Sequence, residues 1–310
     1  MTDSATEFRP TLADASPTVA LPIAASHSRW RDLLELVKPR MNLLILGTTA
    51  VGFYCAALDG RAWLRLPDTL IGTGLCAAGA AILNQLIERH YDARMPRTRN
   101  RPLPTGRISP AEALVLGILA GIAGGLYLLL RVNALTAILG TATLLSYVAV
   151  YTPLKRHTTL NTIVGAVPGA IPPLMGWTAV TGSLSITALP LFAILFVWQI
   201  PHFLAIATMY RDDYRAGGFK MLPVDDGDLT ATSRQILIYT AALFPVSMTP
   251  VLVHLAGWPY AAAALAMDLV FGYYAVKMAQ RRLRPDARKL FFASILYLPA
   301  LLAVLMLDRT

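Results

Sequence analysis

The chain has 310 residues, of which 55% are hydrophobic and only 15% are charged. Soluble globular domains carry about 25% charged residues, so this composition excludes an ordinary water-soluble enzyme. Two cysteines are too few for a disulfide framework. The formal net charge of +9 would also suit a nucleic-acid-binding protein, so the positions of the charges must decide that question.

The order of polar and apolar segments predicts a membrane protein. Residues 1–28 are rich in Thr, Ala, Ser and Pro, which predicts a disordered cytoplasmic tail. From residue 29 onward, long uncharged runs alternate with short charged clusters, and about 20 apolar residues suffice for a helix to cross a bilayer. The predicted fold is therefore all-α, a polytopic transmembrane domain (29–310) with nine helices, at about 41–58, 69–88, 112–131, 133–154, 160–180, 184–210, 234–256, 259–277 and 290–307.

Basic residues are concentrated on one side of this predicted topology. All but four of the 27 Lys and Arg residues precede the first span or lie in the loops joining spans 2 and 3, 4 and 5, 6 and 7, and 8 and 9. Loops rich in Lys and Arg stay cytoplasmic, which places these loops and the N-terminus inside and the C-terminus outside. Topology thus explains the net charge, and no basic stripe interleaved with aromatic residues indicates a nucleic-acid partner.

Three oxygen-bearing side chains lie at four-residue intervals at the end of the second span. Asn84, Glu88 and Asp92 would share one face of a helix. Hard oxygen ligands in a row suit Mg²⁺, which binds one or two carboxylates and completes its shell with waters and substrate phosphates. The alternative is that the two carboxylates are ordinary interfacial acids paired with Arg89 and Arg94.

Several cations surround this motif in the predicted topology. Arg97 and Arg101 follow the acids directly, and guanidinium groups bind phosphate oxygens in pairs. Lys155, after the fourth span, and Lys38 and Arg40, before the first, lie at the same predicted depth. Binding of a diphosphate requires such an arrangement, in which carboxylates hold a metal ion beside cations in fixed positions.

A second acidic cluster closes the sixth span on the same predicted side. It contains Asp212 and Asp213, followed by Lys220. Two carboxylate clusters facing one cavity could hold two or more Mg²⁺ ions against one diphosphate. The alternative is a solvated charged loop.

Ionisable residues also occur within the predicted spans. Such groups are costly in a membrane and raise a functional hypothesis by default. Trp198, Pro201 and His202 lie in the sixth span, where His202 is either a hydrogen-bonded structural residue or a ligand or proton-transfer group. His254 and Asp268 have no motif around them, and they could pair with one another or with the backbone.

Five sequence blocks extend the motifs described above: 84–103, 151–156, 169–177, 198–203 and 212–224. Together they resemble the UbiA-type intramembrane prenyltransferases, and within that family they are similar to the branch that makes heme O. The combination is far more specific than an acidic motif alone, and the similarity extends over residues about 30 to 307.

The resemblance implies nine helices around a central, laterally open cavity. It also implies transfer of a farnesyl group from farnesyl diphosphate to a vinyl group of heme b, with addition of water, giving heme O and diphosphate. By their positions in the motifs, the residues that would hold Mg²⁺–diphosphate and act in catalysis are Asn84, Glu88, Asp92 and Asp213, with Asp212 as a further metal ligand. The residues that would bind the diphosphate are Arg40, Arg97, Arg101, Lys155 and Lys220. Trp198 and His202 would lie toward the heme.

The resemblance further implies a multi-pass protein of the bacterial inner membrane. Its partners would be farnesyl diphosphate and heme b, the lipid bilayer, and a downstream heme A synthase or cytochrome oxidase assembly factors. One alternative is a prenyltransferase of the same family that acts on a quinone or chlorophyll precursor. Another is a heme carrier or transporter without catalysis, which would not account for two acidic clusters beside Arg97 and Arg101.

Overall fold

The computed structural model describes residues 28–58 and 60–310. This part of the chain is built from helices, and its only strand-like contact is a single bridge between Ala256 and Arg309. Apart from Ser28, the predicted tail lies outside the described residues.

Eleven main helices are numbered here in chain order. A four-residue helical turn, Leu222–Asp225, separates the eighth from the ninth. The helices are α1 (Arg29–Val37), α2 (Pro39–Ala56), α3 (Ala62–Asp92), α4 (Pro110–Arg131), α5 (Ala134–Leu154), α6 (Asn161–Thr181), α7 (Ile186–Met209), α8 (Arg211–Gly217), α9 (Thr230–Leu252), α10 (Trp258–Arg281) and α11 (Arg284–Leu307).

The predicted all-α, polytopic membrane architecture is confirmed. Among the described residues, eight helices are long and apolar enough to cross a membrane: α3 to α7 and α9 to α11. The first predicted span corresponds to α2, an 18-residue helix whose first turn contains the polar Arg40 and Asn42. The count of nine spans is therefore approximate.

Several helices extend beyond the uncharged runs that predicted them. The second span was predicted over 69–88, whereas α3 continues to Asp92, and the last span begins at Arg284 rather than at 290. Charged residues can continue a helix into the membrane interface because their side chains reach water there. Gly182 ends α6 with a left-handed φ of 66°, between the predicted spans 160–180 and 184–210.

The long helices pack into a ring. α3 lies against α2 and α4, α5 against α4 and α6, α7 against α6, α9 and α11, and α10 between α9 and α11. The contact of α11 with α2 closes the ring. Arg309 strengthens this closure, because its guanidinium lies over the ring of Tyr54 and donates to the backbone oxygen of that residue. Asp308 accepts from the backbone N–H groups of Gly257 and Tyr260, at the start of α10.

The contact between α2 and α6 depends on two glycines. A Cβ atom at Gly52 would lie 1.9 Å from the backbone oxygen of Pro173, and one at Gly176 would lie 1.9 Å from the backbone oxygen of Thr49. Small residues allow membrane helices to approach backbone to backbone in this way. The two helices therefore cannot keep their present separation with larger residues at these positions.

We expect Gly52→Ala to destabilise the protein by about 1–3 kcal/mol, because the new methyl group would collide with a backbone oxygen that cannot move alone. Gly47→Ala in the same helix is the matched control, since nothing lies within 4 Å of its Cβ position. The thermal unfolding midpoint of both variants in detergent tests this expectation. Equal midpoints would contradict the close approach of α2 and α6.

Candidate active site

Asn84, Glu88 and Asp92 occupy the last three turns of α3, and we call them the oxygen ladder. All three are buried, with 1%, 7% and 1% of their surfaces exposed. They follow one another along one face, because each lies four residues after the last. The end of α3 therefore concentrates three sets of hard oxygen atoms in the protein interior.

Each member of the oxygen ladder bonds to one cation from a different segment of the chain. We call these three cations the cation row. The pairs are Lys38 Nζ to Asn84 Oδ1 at 2.9 Å, Lys155 Nζ to Glu88 Oε1 at 2.8 Å, and Arg101 Nη1 to Asp92 Oδ2 at 2.8 Å.

The alternative pairing of the acids with Arg89 and Arg94 is wrong. Arg89 donates to the backbone oxygen of Leu86, and Arg94 lies over the ring of Tyr91. Arg89 lies between Glu88 and Asp92 in sequence and Arg94 follows Asp92, yet both side chains bind other partners. The acids are instead neutralised by cations from other parts of the chain.

The two lysines of the cation row have shifted pKa values in opposite directions. Burial lowers the pKa of Lys38 to about 7, and the nearby positive charge of Arg101 contributes to the shift. Burial also works to lower the pKa of Lys155, but the carboxylate of Glu88, together with Tyr151 and Tyr147, outweighs it and holds that pKa well above its usual value. Lys155 therefore holds its charge firmly, whereas burial weakens the hold of Lys38 on its proton even with Glu88 and Asp92 nearby.

A distorted turn of α5 orients the amide of Asn84. Residues Ser146–Tyr151 form a π-helical turn just before Pro153, which has no backbone N–H. The Thr152 hydroxyl donates to the backbone oxygen of Tyr147 at 2.8 Å and lies 3.1 Å from Asn84 Nδ2. Since its only proton is used, the hydroxyl accepts from the amide, which turns the Asn84 oxygen toward the cation row.

The segment with the second acidic cluster packs against the end of α3. The guanidinium of Arg97 lies 4.9 Å from the ring centre of Tyr210 and 5.8 Å from that of Tyr214, which flank the two aspartates. The rings of Tyr91 and Phe219 pack 5.6 Å apart at the same junction. The two motifs are therefore neighbours, although they are more than 100 residues apart in sequence.

The two aspartates of this cluster have different surroundings. The side chain of Asp212 is 88% exposed and bonds to Arg215 at 2.9 Å, so it is not among the groups brought to the oxygen ladder. Asp213 is half-buried, and Lys220 and Arg40 are exposed. The metal-binding or diphosphate-binding roles of these residues stay predictions.

Backbone contacts bring the segment after α8 beside Lys155. The N–H of Lys220 donates to the backbone oxygen of Lys155 at 2.7 Å. The fully buried Asn161 donates to the backbone oxygens of Lys220 and Thr158, at 2.7 and 2.6 Å. Asn161 thus fixes the loop between α5 and α6 against the second motif.

Trp198 and His202 lie together where α7 packs on α11. His202 stacks between Trp198 and Phe291, with ring centres 4.9 and 5.2 Å apart. Its Nδ1 lies 2.7 Å from the hydroxyl of Ser294, which donates to the backbone oxygen of Phe291. Because that hydroxyl proton is used, the network assigns the imidazole proton to Nδ1 and a lone pair to Nε2.

The buried Asp268 does not pair with His254. Its two oxygens accept from the hydroxyl groups of Ser247 and Tyr297, both at 2.6 Å. Asp268 therefore joins α9, α10 and α11, and the proposed pairing with His254 is wrong.

The donor set of the oxygen ladder fits Mg²⁺ that is shared with a substrate. Among the described residues, no group of three His, Cys, Asp or Glu side chains is close enough to hold a metal ion alone. Two carboxylates and an amide match an ion that keeps waters and substrate phosphates as its remaining ligands. Asn84, Glu88 and Asp92 could therefore hold Mg²⁺ together with a diphosphate.

Several residues of this site could not be recognised from the sequence motifs. Lys38 was noted only as a nearby cation, yet it bonds to the oxygen ladder, and Thr152 lay unremarked within the block around Lys155. The Thr98 hydroxyl donates to the backbone oxygen of Asp92 and holds the turn that returns Arg101. Spacing carries no signal for these contacts, because they depend on irregular turns.

A ring of apolar helices with buried oxygen ligands facing fixed cations defines a polytopic membrane protein that handles an anionic substrate. The sequence profile of the UbiA prenyltransferase family matches residues 45–296. The chain belongs to this family.

Individual relatives are similar to this chain over most of its length. The chain is 46% identical, over 288 residues, to the protoheme IX farnesyltransferase of Solibacter usitatus (strain Ellin6076), covering 90% of this chain and 99% of the relative. Further relatives with the same name are 42–45% identical.

Solved structures agree on the fold. A structure of digeranylgeranylglyceryl phosphate synthase matches with a TM-score of 0.75 at 16% identity, covering 90% of this chain and 98% of that one. A UbiA homologue from Archaeoglobus fulgidus bound to DMAPP and Mg²⁺ matches with a TM-score of 0.56 at 18% identity, covering 88% and 99%.

We expect Thr152→Val to weaken binding of inorganic pyrophosphate in the presence of Mg²⁺ by about tenfold, because the Asn84 amide would lose the partner that orients it. Thr152→Ser keeps the hydroxyl and should bind as the wild type does. Isothermal titration calorimetry measures both affinities, and unchanged unfolding midpoints would show that the fold is intact. Wild-type affinity in Thr152→Val would refute the positioning role.

Proposed function

We propose that this protein transfers the farnesyl group of farnesyl diphosphate to a vinyl group of heme b, with addition of water, to give heme O and diphosphate. The observation that carries the proposal is the buried oxygen ladder facing the cation row, in a chain 46% identical to a protoheme IX farnesyltransferase. Both proposed substrates are lipophilic, which agrees with a site placed among membrane helices.

The cation row would assist departure of the diphosphate. Negative charge grows on the leaving oxygens as the allylic C–O bond breaks, and fixed donors aimed at that charge lower the barrier. Lys155, Arg101 and Lys38 would supply charge-assisted hydrogen bonds, and the added negative charge would raise the pKa of Lys38. Mg²⁺ on Asn84, Glu88 and Asp92 would neutralise part of the same charge, as the complex of the Archaeoglobus fulgidus homologue with DMAPP and Mg²⁺ suggests for this family.

The apolar surroundings would protect the reactive allylic cation from water. The vinyl carbon of heme would attack this cation, forming the new C–C bond. The positive charge then lies on the carbon next to the pyrrole ring, and a water molecule adds there and loses a proton. These steps consume one farnesyl diphosphate, one heme and one water, and they release diphosphate and one proton.

His202 and Trp198 are the proposed contacts to heme. The hydrogen-bond network leaves the lone pair of His202 on Nε2, the form that can ligate iron. The flat stack of Trp198, His202 and Phe291 would also offer a surface for the porphyrin. The relatives at 42–46% identity are named protoheme IX farnesyltransferase, which supports heme over a quinone as the acceptor.

The same proposal includes the orientation of the protein. The oxygen ladder, the cation row and the second acidic cluster would face the cytoplasm, with the C-terminus on the opposite side of the bacterial inner membrane. A heme A synthase or cytochrome oxidase assembly factors would receive the product.

Purified protein incubated with heme b, farnesyl diphosphate and Mg²⁺ should form heme O, detected by mass spectrometry of the extracted hemes. Asp92→Asn and Asp213→Asn should each lower turnover by about a hundredfold, because a ligand of the diphosphate complex is weakened. Glu112→Gln is the matched control: Glu112 lies at the start of α4 and pairs with Arg29 of α1. Absence of heme O from the wild type, or a prenylated quinone in its place, would refute the proposed reaction.

We expect Lys38→Ala to raise KM for farnesyl diphosphate by about tenfold, since one charge-assisted hydrogen bond to the diphosphate would be lost. Arg40→Ala removes an exposed cation two residues away and should raise KM much less. Steady-state kinetics of both variants distinguish the two residues. A larger effect of Arg40→Ala would assign the diphosphate contact to Arg40 instead.

A further inference from the structure

A groove of about 520 Å³ runs between α10 and α11. Its walls are largely apolar and include the exposed side chains of Val270, Phe292 and Leu296. Leu296 follows Ser294 by two residues and therefore lies on the opposite face of α11 from the one that packs on α7. The groove thus opens to the bilayer and is separate from the oxygen ladder.

One end of this groove is positively charged. Lys289 lines it there, and the side chain of this residue is exposed. Lys277 lies 4.4 Å from the ring centre of Tyr273, and Arg288 lies 5.6 Å from that of Phe292, so two more cations flank the same end. None of the three cations forms an ion pair with a carboxylate of residues 28–58 or 60–310.

The opposite end of the groove is apolar. It is lined by Ala266 and Ala300, and Ala293 leaves room between the two ends. From Lys289 to Ala300 the helix rises by about 16 Å. The groove therefore matches a molecule with one anionic head and a tail of about that length.

We propose that this groove binds an anionic phospholipid of the bilayer, with the phosphate at Lys289 and one acyl chain along the apolar walls. Basic residues at the membrane surface attract anionic headgroups, and each contributes to binding. A prenyl diphosphate has a similar shape, but it needs metal ligands, and the lining of the groove contains no carboxylate. The proposal is independent of the reaction proposed above.

The test uses native mass spectrometry of the full chain released from nanodiscs of phosphatidylcholine mixed with phosphatidylglycerol. Wild-type protein should retain phosphatidylglycerol in preference to phosphatidylcholine. Lys289→Gln should reduce the retained phosphatidylglycerol about fivefold, whereas Lys289→Arg keeps the charge and should retain it. Ala293→Phe, which fills the groove, should have a similar effect to Lys289→Gln, and Ala262→Phe at an exposed position outside the groove is its matched control.

Equal retention of the two lipids by the wild type would overturn the proposal. Wild-type retention in both Lys289→Gln and Ala293→Phe would overturn it as well. Added farnesyl diphosphate that displaces the retained lipid would assign the groove to the prenyl substrate. Because Lys289→Gln changes only an exposed residue, the test does not depend on the folding of Ala293→Phe.

Discussion

The pairing of the oxygen ladder with the cation row is the interaction on which the arrangement of the site depends. An unpaired charge buried among membrane helices costs several kcal/mol, so the two carboxylates require partners. Arg101, from the loop after α3, pairs with Asp92, and Lys155, at the end of α5, pairs with Glu88. Lys38, from the turn before α2, bonds to the neutral amide oxygen of Asn84. These three bonds hold three chain segments against the end of α3.

Two irregular stretches of backbone orient side chains toward the oxygen ladder. Lys38 has a left-handed φ of 52° between α1 and α2, a conformation that a non-glycine residue adopts at some cost. The π-helical turn before Pro153 directs the hydroxyl of Thr152 toward Asn84. Such strained positions persist where surrounding contacts compensate for them, and they are concentrated at functional sites. Here the compensation is provided by the bonds to the ladder itself.

The helical membrane fold could be predicted from the sequence because a helix that crosses a bilayer needs about 20 apolar residues. Such runs can be recognised without knowing how the helices pack. The four-residue spacing likewise predicted the shared face of the oxygen ladder. The resemblance assigned the diphosphate to Arg40 and not to Lys38, because the left-handed turn that brings Lys38 to Asn84 leaves no pattern in the sequence. The difference between Asp212 and Asp213 was equally hidden, since neighbouring residues of a helix point about 100° apart and the placement of α8 decides which one faces inward.

The closure of the ring has a consequence for the order of assembly during synthesis. Asp308 and Arg309 join the start of α10 and the end of α2, and they follow every helix of the ring in sequence. The chain must therefore be synthesised as far as Arg309 before these residues can join α2 and the start of α10. Before that, α2 can already pack on α6 through Gly52 and Gly176, so the contacts of Asp308 and Arg309 are the last to form.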